Sequence, residues 1–173
     1  MPRHAGKKPH PLAVAIVVSR YNSRITSRLL DGAARALRSA GRRYPATVFD
    51  APGAFELPVL VHAAAASGRF AGVLALGCLV RGQTMHDRVI ADAVANGLTR
   101  AAMDTGIPIA FGVLTVNTTA QALARAGGRK GNKGEEAMSA LLDTIATVRD
   151  IRSGRSPARR TLTRPDKTRR RQP

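Results

Sequence analysis

The sequence predicts an α/β fold with one domain, a three-layer αβα sandwich around a four-stranded parallel sheet. Four short apolar runs alternate along the chain with segments of helical periodicity. Strands that alternate with helices are joined by right-handed crossovers, which make the sheet parallel and place helices on both of its faces. The chain has 173 residues, which is enough for one ordinary domain.

The first predicted strand is the run LAVAIVVS at 12–19, whose unbroken apolar character is typical of a strand covered on both faces. A helix is predicted over 25–40, because its apolar residues recur at spacings of three and four and form one buried stripe. Gly41 is expected to end this helix. The stripe consists of Ile25, Leu29, Ala33, Ala36, Leu37 and Ala40.

The remaining elements continue the alternation. The other predicted strands are 46–49, 70–79 and 107–114, with a turn at 50–53. The other predicted helices are 55–67, 86–105, 118–126 and 135–148. The stripe of the last helix consists of Met138, Leu141, Leu142, Ile145 and Val148. This order of elements predicts a flavodoxin-like sandwich.

The formal net charge of +17 is concentrated at the two ends of the chain. Residues 149–173 carry ten Lys and Arg residues against two acidic ones, and they contain no aromatic residue. Such a segment cannot bury a core, so we expect a basic extension at 1–11, the folded domain at 12–150 and a disordered basic tail at 151–173. We favour a solvated extension as the interpretation of this tail, and the alternative is a tail that binds nucleic acid.

Several classes of protein are excluded by the composition. Cys78 is the only cysteine, which argues against a disulfide framework and predicts a cytoplasmic protein. No apolar run is long enough to cross a membrane. The four histidines are scattered, so no metal site is expected. Residues 127–134 resemble a phosphate-binding loop, but the second glycine and the Ser or Thr of that motif are missing.

Ligands of a parallel sheet bind beyond the carboxyl ends of its strands. The most informative predicted strand end is GCLVRGQTMH at 77–86, where a helix begins beside Gln83 and Thr84. Free N–H groups at a helix start, with a hydroxyl beside them, favour a phosphate or carboxylate. His86 would lie about one turn away and could move protons at neutral pH. The alternative is that Thr84 caps the helix and His86 is a surface histidine.

Other strand ends carry candidate side chains as well. Glu56, at the start of the second predicted helix, should stay ionised and could accept hydrogen bonds from hydroxyl groups. The alternative for Glu56 is a capping acid. Tyr21 offers an aromatic face for stacking, although it could equally pack against the protein. Cys78 is interpreted as a wall residue, because no basic partner near it in sequence would activate it.

Six segments in order resemble the lumazine synthase family, and the resemblance covers about residues 12–148. The segments are RYN (20–22), PGAFELP (52–58), LGCLVRGQTMH (76–86), FGVLT (111–115), QALARAG (121–127) and GNKG (131–134). Any one of them could arise by chance. Six in order, each at a predicted strand end or helix start, are specific.

The resemblance implies a reaction between 5-amino-6-(D-ribitylamino)uracil and 3,4-dihydroxy-2-butanone 4-phosphate that gives 6,7-dimethyl-8-ribityllumazine, phosphate and water. It implies no metal and no redox cofactor. It also implies that His86 is the proton shuttle. The residues implied to hold the phosphate are Gln83, Thr84 and Arg125. The residues implied around the pyrimidine and ribityl groups are Tyr21, Ala54, Phe55, Glu56, Cys78, Leu79, Val80, Phe111 and Lys133.

The resemblance further implies a homo-oligomer built from pentamers. In it, Phe111 and Arg125 would reach an active site formed mainly by a neighbouring subunit. Only seven residues, 126–132, separate Arg125 from Lys133, which resembles members that close into icosahedral shells. A full shell is therefore expected in preference to free pentamers.

This chain departs from the family pattern at two places. Asp87-Arg88-Val89 follows His86 where an aromatic-acid-aromatic pattern is common, and Ala124 precedes Arg125 where an acid is common. Both departures affect turnover more than binding. They leave two alternatives open: a weakly catalytic relative that mainly binds lumazine or flavin, and a basic-tailed scaffold that binds nucleic acid. Product formation from the two substrates separates the enzyme from both.

Overall fold

The computed structural model describes residues 13–41 and 44–154, and it contains the predicted parallel sheet. The strands are β1 (Val14–Ser19), β2 (Ala46–Ala51), β3 (Gly72–Val80) and β4 (Ile109–Val116). They lie in the order β2-β1-β3-β4, and neighbouring strands pair in parallel. The strand β4 is therefore one free edge of the sheet. The predicted N-terminal extension and residues 155–173 of the predicted tail lie outside the described part of the chain.

Helices cover both faces of this sheet, as predicted. They are α1 (Ser23–Ser39), α2 (Leu57–Ala66), α3 (His86–Thr105), α4 (Thr119–Arg125) and α5 (Lys133–Arg152). One core packs α1, α4 and α5 against the sheet, and a second core packs α2 and α3 against its other face. Since β1 and β3 contribute to both cores, their side chains are buried on both faces, as their unbroken apolar runs predicted.

Several predicted element ends are wrong by a few residues. The helix α2 begins at Leu57 rather than at residue 55, and Pro58 lies in its first turn, where a missing N–H costs no hydrogen bond. The strands β3 and β4 each begin two residues later than predicted, and they end later, at Val80 and Val116, which pair with each other. The last helix continues to Arg152, four residues beyond the predicted end, and basic residues in its last turn suit the helix dipole.

A short antiparallel pair of strands, β5 (Ala126–Gly128) and β6 (Gly131–Asn132), connects α4 and α5, where no strand is predicted. Gly127 and Gly131 have φ values of 98° and 75°, a region that glycine enters without steric cost. Strands of two or three residues are too short to show a period of two. The hydrophobic pattern therefore did not predict this pair.

The start of α5 is fixed against α1 by the segment GNKG at 131–134. The side-chain oxygen of Asn132 accepts hydrogen bonds from the backbone N–H groups of Gly134 and Glu135, at 2.9 and 3.2 Å. Its amide nitrogen donates to the carbonyl oxygen of Arg28 at 2.7 Å. A Cβ atom on Gly134 would lie 2.0 Å from the carbonyl oxygen of Leu29, so only glycine fits this contact.

No helix within the described residues is long and apolar enough to span a membrane.

Candidate active site

The carboxyl ends of all four strands lie at one edge of the sheet, which we call the carboxyl edge. The register aligns Ser19 with Ala51 at the ends of β1 and β2, and Val80 with Val116 at the ends of β3 and β4. The end of β3 and the segments that follow β1, β2 and β3 carry ten of the thirteen residues in the predicted site. Sequence segments that are far apart along the chain therefore meet at this edge.

Tyr21 follows β1 and leaves 71% of its surface exposed, so its ring has not packed into the protein. The next residue, Asn22, has a φ of 59°, which asparagine tolerates better than most residues. Its side-chain nitrogen donates to the carbonyl oxygen of Cys78 at 2.9 Å. This bond ties the end of β1 to the end of β3. Asn22 is not among the predicted site residues, because the hydrophobic pattern does not reveal this backbone conformation.

The segment after β2 presents Phe55 and Glu56. The side chain of Phe55 is 61% exposed, whereas Ala54 is buried. Glu56 precedes the first residue of α2, and its carboxylate makes no capping hydrogen bond there. A Cβ atom on Gly53 would lie 2.8 Å from Oε2 of Glu56, so the glycine leaves space for this carboxylate. Glu56 is therefore half-buried and not engaged as a helix cap.

Residues Arg81 to Met85, between β3 and α3, and His86, the first residue of α3, are all exposed. The backbone N–H of Gly82 donates to Oδ1 of Asp87 at 3.3 Å, and that of His86 approaches Oγ1 of Thr84 at 3.4 Å. The described residues supply no hydrogen-bond acceptor to the backbone N–H groups of Gln83 and Thr84. Unsatisfied N–H groups at the start of a 20-residue helix are suited to an anion.

The end of β3 forms the floor between these segments. The side chain of Cys78 is 1% exposed on the face packed by α1 and α5, and that of Leu79 is 8% exposed on the opposite face. Val80 is half-buried. Burial raises the pKa of the Cys78 thiol to about 11, so the thiol stays protonated at neutral pH. This agrees with a wall residue rather than a nucleophile.

The other three residues of the predicted site lie elsewhere. Phe111, Arg125 and Lys133 line a groove of about 480 Å³ along the free edge of β4, between β4 and the two last helices. Phe111 is 47% exposed and pairs with Ala75 in the middle of β3. It lies five residues before the end of β4, or about 16 Å at the usual rise of a strand. The structure therefore separates the predicted site into two groups.

Polar contacts position the two basic residues of this groove. Nη1 of Arg125 donates to the carbonyl oxygen of Gln121 at 3.1 Å. Nζ of Lys133 forms an ion pair with Glu136, one turn along α5. Glu136 is not among the predicted site residues. Its contact with Lys133 arises because α5 begins at Lys133 and brings the two side chains onto one face of the helix. Among the described residues, no group of three or more His, Cys, Asp or Glu side chains could hold a metal ion.

Comparisons with known proteins identify the family of this chain. The sequence profile of the family described as 6,7-dimethyl-8-ribityllumazine synthase matches residues 11–149. A 6,7-dimethyl-8-ribityllumazine synthase of Syntrophus aciditrophicus is 46% identical over 137 residues, which are 79% of this chain and 89% of that protein. The 6,7-dimethyl-8-ribityllumazine synthase 1 of Caulobacter vibrioides is 43% identical over 145 residues, covering 83% and 95% of the two chains. A synthase of the same name from Edwardsiella ictaluri is 44% identical over 142 residues, covering 81% and 91%. Because the matched region covers the whole described fold except the last three residues of α5, this chain belongs to the 6,7-dimethyl-8-ribityllumazine synthase family of riboflavin biosynthesis.

Proposed function

We propose that this transferase condenses 5-amino-6-(D-ribitylamino)uracil with 3,4-dihydroxy-2-butanone 4-phosphate. The products are 6,7-dimethyl-8-ribityllumazine, one phosphate and two waters. One observation carries this proposal. The carboxyl edge holds an exposed aromatic ring, an uncapped carboxylate and a helix start with free N–H groups. These three features suit a flat ring, a chain of hydroxyl groups and a phosphate.

The pyrimidine and its ribityl chain are assigned to the first two strand ends. The ring of Tyr21 stacks on the pyrimidine, as its exposure permits. Glu56 accepts hydrogen bonds from ribityl hydroxyl groups, with Ala54 and Phe55 lining that side. The side chains of Cys78 and Leu79 are buried, so these residues border the pyrimidine through their backbone, and Val80 does so through its side chain.

The phosphate is assigned to Gln83 and Thr84, whose backbone N–H groups are free at the start of α3. The 5-amino group of the pyrimidine attacks the butanone carbonyl and expels water to form a Schiff base. Loss of the proton on the carbon that bears the hydroxyl group, with departure of the phosphate from the next carbon, leaves an enol that tautomerises to a ketone. The ribitylamino nitrogen then attacks this new carbonyl and releases the second water.

His86 relays protons during these steps because it lies beside the phosphate-binding loop. Acid–base help from one side chain is worth about a hundredfold to ten-thousandfold. Holding the two reactants together supplies a large share of the remaining rate enhancement. No step in this sequence requires an external oxidant or reductant.

The site is proposed to be completed by a neighbouring subunit. Phe111 is 47% exposed on the edge strand β4, about 16 Å from the strand's own carboxyl end. It lies in one groove with Arg125 and Lys133. We therefore assign all three residues to the active site of the adjacent subunit, with Arg125 directed at the phosphate and Lys133 at the pyrimidine.

Pentameric rings are the proposed assembly, because a ring lets each β4 edge meet the carboxyl edge of the next subunit. The connection between α4 and α5 is a tight pair of short strands, which fixes the direction of the last helix. We propose that the rings join into an icosahedral shell, since closure depends on such angles.

A cytoplasmic location is part of the proposal, on the basis of cysteine usage. The one cysteine, Cys78, is a buried free thiol. This usage suits a reducing compartment.

One assay tests the proposed reaction. Purified protein is mixed with the two substrates, and the fluorescence of the lumazine product is followed over time. We expect product and free phosphate to appear in equal amounts. Tight binding of lumazine or flavin without product formation would instead favour a binding protein.

A further inference from the structure

The loop between β3 and α3, residues 81–85, is held at its start by two hydrogen bonds. The backbone N–H of Arg81 donates to the carbonyl oxygen of Val116 at 2.8 Å, which continues the pairing of β3 with β4. The backbone N–H of Gly82 donates to Oδ1 of Asp87 at 3.3 Å. The next two N–H groups along the loop find no acceptor among the described residues. Two held N–H groups are therefore followed directly by two free ones.

Of these two hydrogen bonds, only the one to Asp87 depends on a side chain. Asp87 is the second residue of α3 and is half-buried. A Cβ atom on Gly82 would meet no atom within 4 Å, so packing does not fix the loop at this point. The hydrogen bond to the Asp87 carboxylate is therefore the contact that sets the position of Gly82, and with it the direction of the N–H groups that follow.

Asp87 also lines a small pocket of about 150 Å³, together with Arg81, Arg88 and residues at the end of β4 and just after it. Neither arginine forms an ion pair with another described residue. The two guanidinium groups and the one carboxylate give this part of the lining a formal charge of +1. A phosphate at the loop therefore does not meet an uncompensated negative charge at Asp87.

We propose that Asp87 is a positioning residue for the butanone substrate. Its carboxylate holds Gly82 so that the N–H groups of Gln83 and Thr84 already face the phosphate before it binds. A preorganised loop binds more tightly, because no segment has to be ordered on binding. This inference rests on the proposed function, which assigns the phosphate to Gln83 and Thr84.

The contact changes what is expected of this part of the sequence. The sequence pattern predicts that the departure at Asp87-Arg88-Val89 affects turnover more than binding, whereas the hydrogen bond to Gly82 indicates an effect on binding. At saturating substrate the bound phosphate itself orders the loop, so kcat should be preserved. An acid that only stabilises α3 through the helix dipole would lower the free energy of unfolding when removed and would not distinguish the two substrates.

The first experiment compares Asp87→Ala with Asp87→Asn in steady-state kinetics. The two variants lose the same charge, but only asparagine keeps a side-chain oxygen that can accept from Gly82, so their difference isolates the hydrogen bond. We expect Asp87→Ala to have a KM for the butanone phosphate about threefold to tenfold above that of Asp87→Asn. The kcat and the KM for the pyrimidine should agree within about twofold in both variants.

A control for the lost charge is Asp92→Ala, at an exposed position further along α3, which should behave like the parent. Equal KM values for the butanone phosphate in Asp87→Ala and Asp87→Asn would overturn the inference. A loss confined to kcat, or shared equally by both substrates, would overturn it as well.

The second experiment does not require turnover. Hydrogen–deuterium exchange is measured by mass spectrometry over a peptide that covers residues 81–86, and calorimetry gives the Kd of inorganic phosphate. Asp87→Ala should exchange faster than Asp87→Asn in this peptide and should bind phosphate about threefold to tenfold more weakly. Equal exchange and equal Kd would overturn the inference even if lumazine is formed. A parent protein that forms no lumazine while the two variants differ in this way would overturn the proposed reaction and leave the role of Asp87 in place.

Discussion

At the scale of single residues, the acid–base chemistry of the proposed reaction depends on His86, the first residue of α3. The substitution His86→Ala should lower kcat by about tenfold to a thousandfold and leave substrate binding nearly unchanged, because it removes proton transfer and no binding contact. Product fluorescence gives kcat, and calorimetry gives the Kd of the pyrimidine. His62→Ala, an exposed histidine on α2, is the matched control and should behave like the parent. An unaltered kcat in a folded His86→Ala protein would remove His86 from the mechanism.

The thiol of Cys78 gives a second prediction, about pH. Its folded-state pKa of about 11 lies above the usual value, so the thiol should resist alkylation at neutral pH until the protein unfolds. A raised pKa means that the unfolded chain loses this proton first as the pH rises. The stability contributed by the buried neutral thiol is therefore present below about pH 9 and is lost as the pH approaches about 11.

Two measurements check this account of Cys78. The rate of labelling by iodoacetamide should rise sharply with denaturant. In a Cys78→Ala variant, the decline of the unfolding free energy between about pH 9 and 11 should be shallower than in the parent. Fast labelling of the native protein at neutral pH would show that the thiol is accessible and ionised.

At the scale of elements, the contact between α1 and the start of α5 depends on Gly134. A Cβ at this position would overlap the carbonyl oxygen of Leu29, a backbone atom that cannot move away cheaply. We expect Gly134→Ala to lower the free energy of unfolding by about 1–3 kcal/mol, despite the higher helix propensity of alanine. Chemical denaturation measures the change. The control is Ser139→Ala, at an exposed position on the same helix, which should leave the free energy of unfolding nearly unchanged. A Gly134→Ala variant with a higher free energy of unfolding than the parent would refute the close contact.

At the scale of the whole molecule, the proposed division of the active site between subunits can be tested by complementation. Arg125→Ala should raise the KM for the butanone phosphate far more than that for the pyrimidine, because the guanidinium is assigned to the phosphate. If Arg125 acts across the interface, co-assembled His86→Ala and Arg125→Ala subunits should recover part of the activity. Mixed assemblies no more active than the separate variants would place both residues in the site of one subunit.

The size of the assembly is the remaining prediction at this scale. We expect a pentamer-based shell, although the basic segment after α5 adds like charges that repel most strongly at low salt. Light scattering or native mass measurement at moderate salt distinguishes the outcomes. Discrete pentamers would rule out the shell, and a stable active monomer would rule out the shared active site as well.

Local patterns in the sequence are enough to predict the class of fold and most of the segments at the carboxyl edge. Unbroken apolar runs identified β1 and β3 as strands buried on both faces, and stripes of period 3.6 identified α1 and α5. Periodicity depends on which face of an element is buried. It can therefore be detected in the sequence without knowing which other element packs against that face. The rule that ligands bind beyond strand ends then located the segments around Tyr21, Glu56 and His86.

Which distant residues become neighbours depends on how the strands pair and the helices pack. The strand order made β4 a free edge, and this placed Phe111 in one groove with Arg125 and Lys133, apart from the other candidates. The bond from Asn22 to Cys78 and the fit of Gly134 against Leu29 likewise join residues more than fifty positions apart. Such contacts depend on strand pairing and helix packing across the whole sheet, and no local pattern of apolar and polar residues encodes them.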